Sequence, residues 1–130
     1  PPGTGDTQLT LSQEIKMDGA IIVSTPQEVA LIDVKRGIKM FDKLGVKVLG
    51  LINNMSYFIG DDKKKYNIFG EGGVKKTAEE FNKDFLSEIP INSEVGRFGD
   101  IGKPLVEANI DHEISKIYMN IAGKIKSLYI

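Results

Sequence analysis

Three short apolar runs punctuate the chain, and the segments between them carry apolar residues at helical spacing. Residues 19–24 (Gly-Ala-Ile-Ile-Val-Ser) are almost continuously apolar. That is the pattern of a strand covered on both faces in a parallel sheet. A helix signal follows at once: Thr25 is placed to cap, Pro26 suits the first helical position and Glu28 completes a Thr-x-x-Glu capping box. Ala30, Val34, Ile38 and Phe41 then keep helical spacing as far as Gly45, a C-terminal stop. A second strand is predicted over residues 46–52, so that strand, helix and strand fill the length of one βαβ crossover. Beyond it, residues 74–83 read as a helix, and residues 85–89 as a third strand ending at Pro90. Residues 111–128 read as a last helix, capped by Asp111 and striped by Ile114, Ile117, Ile121, Ile125 and Leu128.

These elements predict an α/β fold: an incomplete doubly wound parallel sheet of about three strands with flanking helices. Such a set leaves an open sheet edge and an uncovered face. The chain also opens abruptly, with Pro1-Pro2-Gly3-Thr4-Gly5-Asp6, which reads as the inside of a motif. The expectation is therefore that residues 1–130 form the C-terminal part of a single domain, whose preceding half supplies the other strands.

Composition narrows the classes. Hydrophobic residues make up 41% and charged residues 27%, the balance of a globular protein. The formal net charge of −1 gives no electrostatic case for nucleic acid. No apolar run reaches the ~18–20 residues of a membrane span. With no cysteine, disulfides and thiolate metal sites are excluded within this chain, which fits a cytoplasmic protein.

The opening segment carries the most chemistry. Its two prolines fix φ, and Gly3 and Gly5 allow sharp turning and close approach of the backbone to a ligand. Asp6 is placed to cap a helix from Thr7 to about Lys16, and the backbone N–H groups of such a turn can point at a phosphate. A plain Pro/Gly loop with a capping aspartate explains the same residues. Asn53 and Asn54 end the second strand, where ligands bind in open α/β sheets. An amide offers the donor and acceptor that an adenine edge needs. Adenine contact is expected of Asn54, and a turn-shaping role of Asn53.

Pro1-Pro2-Gly3-Thr4-Gly5-Asp6 matches the switch segment of deviant-P-loop ATPases of the MinD/Mrp class. Thr7-Gln8-Leu9-Thr10-Leu11-Ser12-Gln13, Ser24-Thr25-Pro26-Gln27-Glu28-Val29-Ala30-Leu31, Asn54-Met55-Ser56-Tyr57-Phe58, Ile68-Phe69-Gly70-Glu71-Gly72-Gly73 and Glu88-Ile89-Pro90-Ile91 resemble Mrp-type iron–sulfur cluster carriers in the same order. The resemblance implies the C-terminal half of a P-loop NTPase fold. It implies an ATPase using ATP with magnesium in the intact protein, a homodimer, an iron–sulfur cluster as cargo and apo iron–sulfur proteins as partners. It makes Gly3 the residue that senses the γ-phosphate and Asp6 a second switch aspartate. Asn54 becomes the adenine reader. Pro90, Ile91 and Asn92 become a segment passing beside the base, with Asn92 acting through its side chain or as a helix cap.

Two departures stand out. No Gly-x-x-x-x-Gly-Lys-[Ser/Thr] loop is present; residues 99–103 (Gly-Asp-Ile-Gly-Lys) have the wrong spacing, and 72–76 (Gly-Gly-Val-Lys-Lys) lack a hydroxyl after the lysines. This stretch by itself is therefore expected to be inactive. Where Mrp-type carriers usually place Cys-x-x-Cys, Gly60 and Lys63 stand, and neither supplies a thiolate. Lys63, Lys64 and Lys65 read as a solvated loop tip before a partner patch, and the lone His112 makes no metal site. A MinD/ParA-like positioning ATPase and a non-enzymatic remnant of the fold are the alternatives. The first would need a basic amphipathic C-terminal helix for a membrane.

Overall fold

The structure is a computed structural model and describes residues 5–129. Its elements in chain order are α1 (Asp6–Glu14), β1 (Ala20–Ser24), α2 (Glu28–Lys43), β2 (Val48–Asn54), β3 (Phe58–Ile59), β4 (Lys65–Tyr66), α3 (Gly73–Glu80), β5 (Phe85–Ile89), α4 (Ser93–Asp100), α5 (Leu105–Ala108) and α6 (Glu113–Tyr129). Strands β1, β2 and β5 form a parallel sheet in the order β1-β2-β5, and β3 and β4 pair as a separate antiparallel hairpin.

The central strand β2 is buried from Val48 to Asn53, because helices cover both of its faces. On one face Leu31, Val34, Ile38 and Phe41 of α2 pack with Val48 and Leu51 and with Val74 and Ala78 of α3. On the other, Ile52, Leu86 and Ile89 pack with Leu105 of α5 and Ile114 and Ile121 of α6. This is the expected doubly wound arrangement. The stripe on α6 is used as predicted, with Ile117 and Ile125 packed beside the second core and Leu128 left exposed.

Helix ends follow local chemistry. In α2 the Gly45 N–H donates to Asp42 O (3.3 Å) and the Val46 N–H to Phe41 O (2.9 Å), with Gly45 at φ 70. That is a Schellman closure. It occupies Val46, so β2 starts at Val48 and ends at Asn54, two residues later than expected. Asn82 (φ 52) closes α3 in the same way, with Lys83 N–H on Ala78 O (2.8 Å), and shortens the predicted helix. Gly102 (φ 70) closes α4, with Lys103 N–H on Phe98 O (3.0 Å). The 99–103 segment is thus a helix terminator.

Three expected caps are not formed. The capping box at Thr25 and Glu28 is absent: Gln27 is the N-cap without a side-chain bond, and the Thr25 hydroxyl donates to Gln27 Oε1 (3.1 Å). Asp6 does not cap α1 but is its first residue, after Gly5. Asp111 does not cap α6; His112 does, its Nδ1 accepting from the Ile114 N–H (3.1 Å) while its Nε2 lies 3.1 Å from Glu94 Oε2 of α4. The hairpin, α4 and α5 were not expected.

Candidate functional site

The two strands whose carboxyl ends carry candidate residues are locked together. Asn54 stands opposite Ile89 in the ladder. Past Asn54 the chain turns sharply through Met55, which sits at φ 51, a left-handed conformation costly for a residue with a side chain. The turn brings the Ser56 N–H onto Ile89 O at 3.0 Å, joined by the Ser56 hydroxyl at 3.3 Å. The Ile91 N–H then donates to Tyr57 O at 2.7 Å. Residues 54–57 and 89–91 therefore form one platform, and Asn54, Pro90 and Ile91 are brought together on it.

Asn92 leaves the platform to start α4: its Oδ1 accepts from the Glu94 N–H at 2.9 Å, so the cap is the alternative the structure selects. Asp6 lines a small cavity with Thr10, Leu11 and Glu14 of its own helix and with Ile15. Among the described residues, no hydrogen bond or ion pair joins Asp6 to Asn54. Gly3 lies outside the described residues.

Alternation along β2 puts its last two residues on opposite faces. Asn54 shares the face of Ile52 and the second core, whereas Asn53 shares the face of Leu51 and the first. Asn53 lies in register between Ser24 and Glu88, is 4% exposed, and its Oδ1 has no hydrogen-bond partner. The turn-shaping role expected of it is not what is seen. It is a buried strand residue, and among the described residues no group donates to its Oδ1. No sequence signal marks it, because its burial depends on α2 and α3 covering that face.

Tyr57 borders the platform. Lys65 Nζ sits 4.3 Å from its ring centroid and 3.6 Å from Glu88 Oε1. Burial pushes the Tyr57 phenol above its ordinary value, the Glu88 carboxylate adds to this, and the Lys65 charge opposes it. On the opposite side, the glycine-rich segment before α3 packs closely on the loop after β1: a Cβ at Gly73 would meet Pro26 O at 3.1 Å. A cleft of 850 Å³ opens there between α2 and α3, lined by Pro26, Glu28, Lys35, Phe69 and Lys76, and none of the candidate residues lines it. Among the described residues, no group of three or more His, Cys, Asp or Glu is placed to hold a metal ion, and no helix is long and apolar enough to cross a membrane.

A doubly wound parallel sheet with asparagine and proline at its carboxyl strand ends places this chain in the class of open α/β folds, in which ligands meet the sheet at those ends. The MinD cell division protein of Aquifex aeolicus superposes with a TM-score of 0.71 at 19% identity, over 96% of this chain and 49% of that one, a likeness of fold alone. A nucleotide-binding protein from Archaeoglobus fulgidus, solved in complex with ADP, superposes with a TM-score of 0.70 at 40% identity, over 79% of this chain and 43% of that one. In sequence, an iron–sulfur cluster carrier protein of Aquifex aeolicus is 47% identical over 94% of this chain and 34% of its own length. The iron–sulfur cluster transfer protein NUBPL of Mus musculus is 43% identical over 96% of this chain and 40% of its own. Residues 1–126 match the ParA family described as NUBPL iron-transfer P-loop NTPase, and the chain belongs to that family. It spans 34% and 40% of the length of these two relatives.

Proposed function

We propose that the intact protein binds ATP with magnesium, hydrolyses it, and serves iron–sulfur protein assembly as a cytoplasmic homodimer whose partners are apo iron–sulfur proteins. The present stretch supplies base recognition through Asn54, Pro90 and Ile91, with Asn92 fixing the start of α4 behind them. It also supplies the phosphate-responsive segment at Gly3 and Asp6. Phosphate and magnesium binding fall to a loop that these residues do not contain, so this stretch alone does not turn over ATP.

The observation that carries the reading is the platform itself. The bonds from Ser56 to Ile89 and from Ile91 to Tyr57 hold the Asn54 end of β2 against the Pro90 turn. The Asn54 amide oxygen is then available to accept from the adenine 6-amino group, and its NH2 to donate to a ring nitrogen. The family supports the iron–sulfur role, and ADP in the Archaeoglobus fulgidus protein supports the nucleotide. The membrane-positioning alternative draws no support from α6, whose Ile114, Ile117, Ile121 and Ile125 pack on the second core.

Titration of ATP into the intact protein by calorimetry tests this. Asn54→Ala removes one amide-to-base pair and is expected to weaken ATP binding about 10–100-fold, which corresponds to about 1.4–2.8 kcal/mol. Unchanged affinity would remove Asn54 from the site. Failure of the intact wild type to bind ATP would favour a remnant of the fold.

A further inference from the structure

The β3–β4 hairpin bears positions 60 and 63, where the resembled carriers place their cysteine pair, and here it is built around a different cross-link. Phe58 faces Tyr66 and Ile59 faces Lys65 in the ladder. Gly60 N–H then donates to Lys64 O (3.0 Å), and Lys63 N–H to Gly60 O (2.9 Å). Lys63 at φ 61 completes a three-residue loop of the kind that ends in a left-handed residue. Inside this loop the Tyr66 hydroxyl donates to Asp62 Oδ2 at 2.6 Å, and Asp62 Oδ1 accepts from the Lys64 N–H at 3.0 Å.

Gly60 is the residue that makes room. A Cβ there would lie 2.7 Å from Asp62 Oδ1 and 2.9 Å from Tyr66 Cε2, both well inside contact distance. A side chain at 60, a cysteine included, would require the Asp62 carboxyl or the Tyr66 ring to shift, and so competes with the Tyr66–Asp62 bond in this geometry. With no cysteine in the sequence, the donors present do not fit a cluster at this tip.

We propose that the Tyr66–Asp62 hydrogen bond replaces a metal centre as the closure of this hairpin, so that the tip takes its final shape with nothing bound and is not where this protein holds a cluster. The proposal rests on the hairpin geometry and not on the ATP reading. The titration behaviour of the pair agrees with it. The Tyr66 hydroxyl and then the Lys64 N–H hold the Asp62 carboxyl below its usual range, and Asp62 pushes the Tyr66 phenol up. The closure is thus complete above the ordinary carboxylate value and is lost as pH falls through the lowered Asp62 value. It is likewise complete below the ordinary phenol value and is lost as pH rises through the raised Tyr66 value. The other charged groups of the tip are Asp61, Lys63, Lys64 and Lys65.

The test uses the intact protein prepared without iron, followed by nuclear magnetic resonance before and after ferrous iron and sulfide are added. The expected result is a Lys64 amide protected from exchange, Tyr66 titrating above an ordinary phenol, and both signals unmoved by iron and sulfide, whether or not iron is taken up elsewhere. Tyr66→Phe and Gly60→Ala should each raise the Asp62 carboxyl toward its ordinary value, the Lys64 N–H keeping part of the lowering in Tyr66→Phe. Lys63→Gly, which suits the left-handed position, should leave it lowered. An exchanging Lys64 amide in the iron-free protein would overturn the proposal. So would movement of either signal on adding iron and sulfide, or a Gly60→Ala variant that keeps the lowered Asp62 value. None of these readouts involves nucleotide, so failure to bind ATP leaves the test standing.

Discussion

Gly50→Ala is a one-methyl change in the middle of β2, and it should be among the most damaging small substitutions available. A Cβ at Gly50 would lie 2.6 Å from Leu86 Cγ, 2.9 Å from Leu86 Cδ2 and 2.8 Å from Asp84 O. Carbon atoms in favourable contact sit about 3.5–4.0 Å apart, so the shortfall against Leu86 is about 1 Å. Leu86 is 3% exposed and enclosed by the second core, which leaves it little space to rotate into. Asp84 O is main chain and already accepts the Leu51 N–H at 2.8 Å, so moving it opens a bond between β2 and β5. Overpacking of this kind costs about 1–3 kcal/mol, and the weakened backbone bond adds about 0.5–1.5. Reduced freedom of the unfolded chain gives back about 0.4–1. A net loss of about 2–3 kcal/mol is expected in urea unfolding of the intact protein, with ATP affinity falling too, because the same ladder sets Asn54 opposite Ile89. Leu86→Ala in the Gly50→Ala background removes one obstacle and leaves the carbonyl, so the double variant should lose less than the sum of the singles. A loss below about 0.5 kcal/mol for Gly50→Ala, or strict additivity with Leu86→Ala, would refute the steric account.

Asn53→Leu removes the buried acceptor that lacks a partner and should raise stability by about 1–3 kcal/mol in the same unfolding assay; a drop would mean that the oxygen is satisfied in solution. His112→Ala deletes the α6 cap and should cost about 1 kcal/mol, while His112→Asn, which keeps a capping acceptor, should recover most of it. The Tyr57 phenol is raised from 10.0 by burial and then by Glu88, so the stability its neutral form contributes is whole below that pH and is lost as pH climbs through the folded-state value. Stability measured across alkaline pH should therefore fall less steeply in Tyr57→Phe than in the wild type, and equal slopes would count against the burial of the phenol.

What the sequence disclosed follows from which interactions are local. Strand β1 was legible as a continuous apolar run, but the expected cover on both faces is not found: it lies at the sheet edge with Val23 56% exposed. The face of α2 was legible because burial on one helix face imposes a period on several residues at once. Gly45 was legible as a helix end, since glycine enters the left-handed region freely, but Asn82 was not, because asparagine takes that position less often than glycine and the predicted helix ran one residue past it. The capping box at Thr25 failed for a tertiary reason: the Pro26 carbonyl faces the close approach of Gly70 and Gly73, at 3.5 and 3.1 Å from their would-be Cβ atoms, and α2 begins only at Glu28. His112 outcompetes Asp111 because Glu94, eighteen residues earlier, sits against its other ring nitrogen. The hairpin has two-residue strands, too short for any period to appear, and α4 contains no buried residue. Of the site, the strand-end place of Asn54 followed from the rule that ligands meet parallel sheets at their carboxyl ends, the Pro90 turn was named only through the family resemblance, and their pairing was not foreseen. The Asn92 cap, the burial of Asn53 and the left-handed Met55 all depend on contacts between distant segments.

The Asn54 platform and the hairpin that lacks the cysteine pair are separate parts of the fold. The platform at Asn54 is held by backbone bonds between β2 and β5 and backed by the second core, so its shape depends on Ile52, Leu86 and Ile89 and on α5 and α6 behind them. The hairpin joins that unit through Tyr57, Lys65 and Glu88, a cation over a ring and one partly exposed ion pair, contacts that contribute little to the platform's geometry. The absence of thiolates at 60 and 63 therefore leaves the platform of β2 and β5 undisturbed. Gly60 has no side chain, and the space beside it is taken by Asp62 and Tyr66 bonded to each other. In this loop one carboxylate accepts both a phenol and a backbone amide beside a glycine that leaves room for it, so the tip is closed by its own side chains.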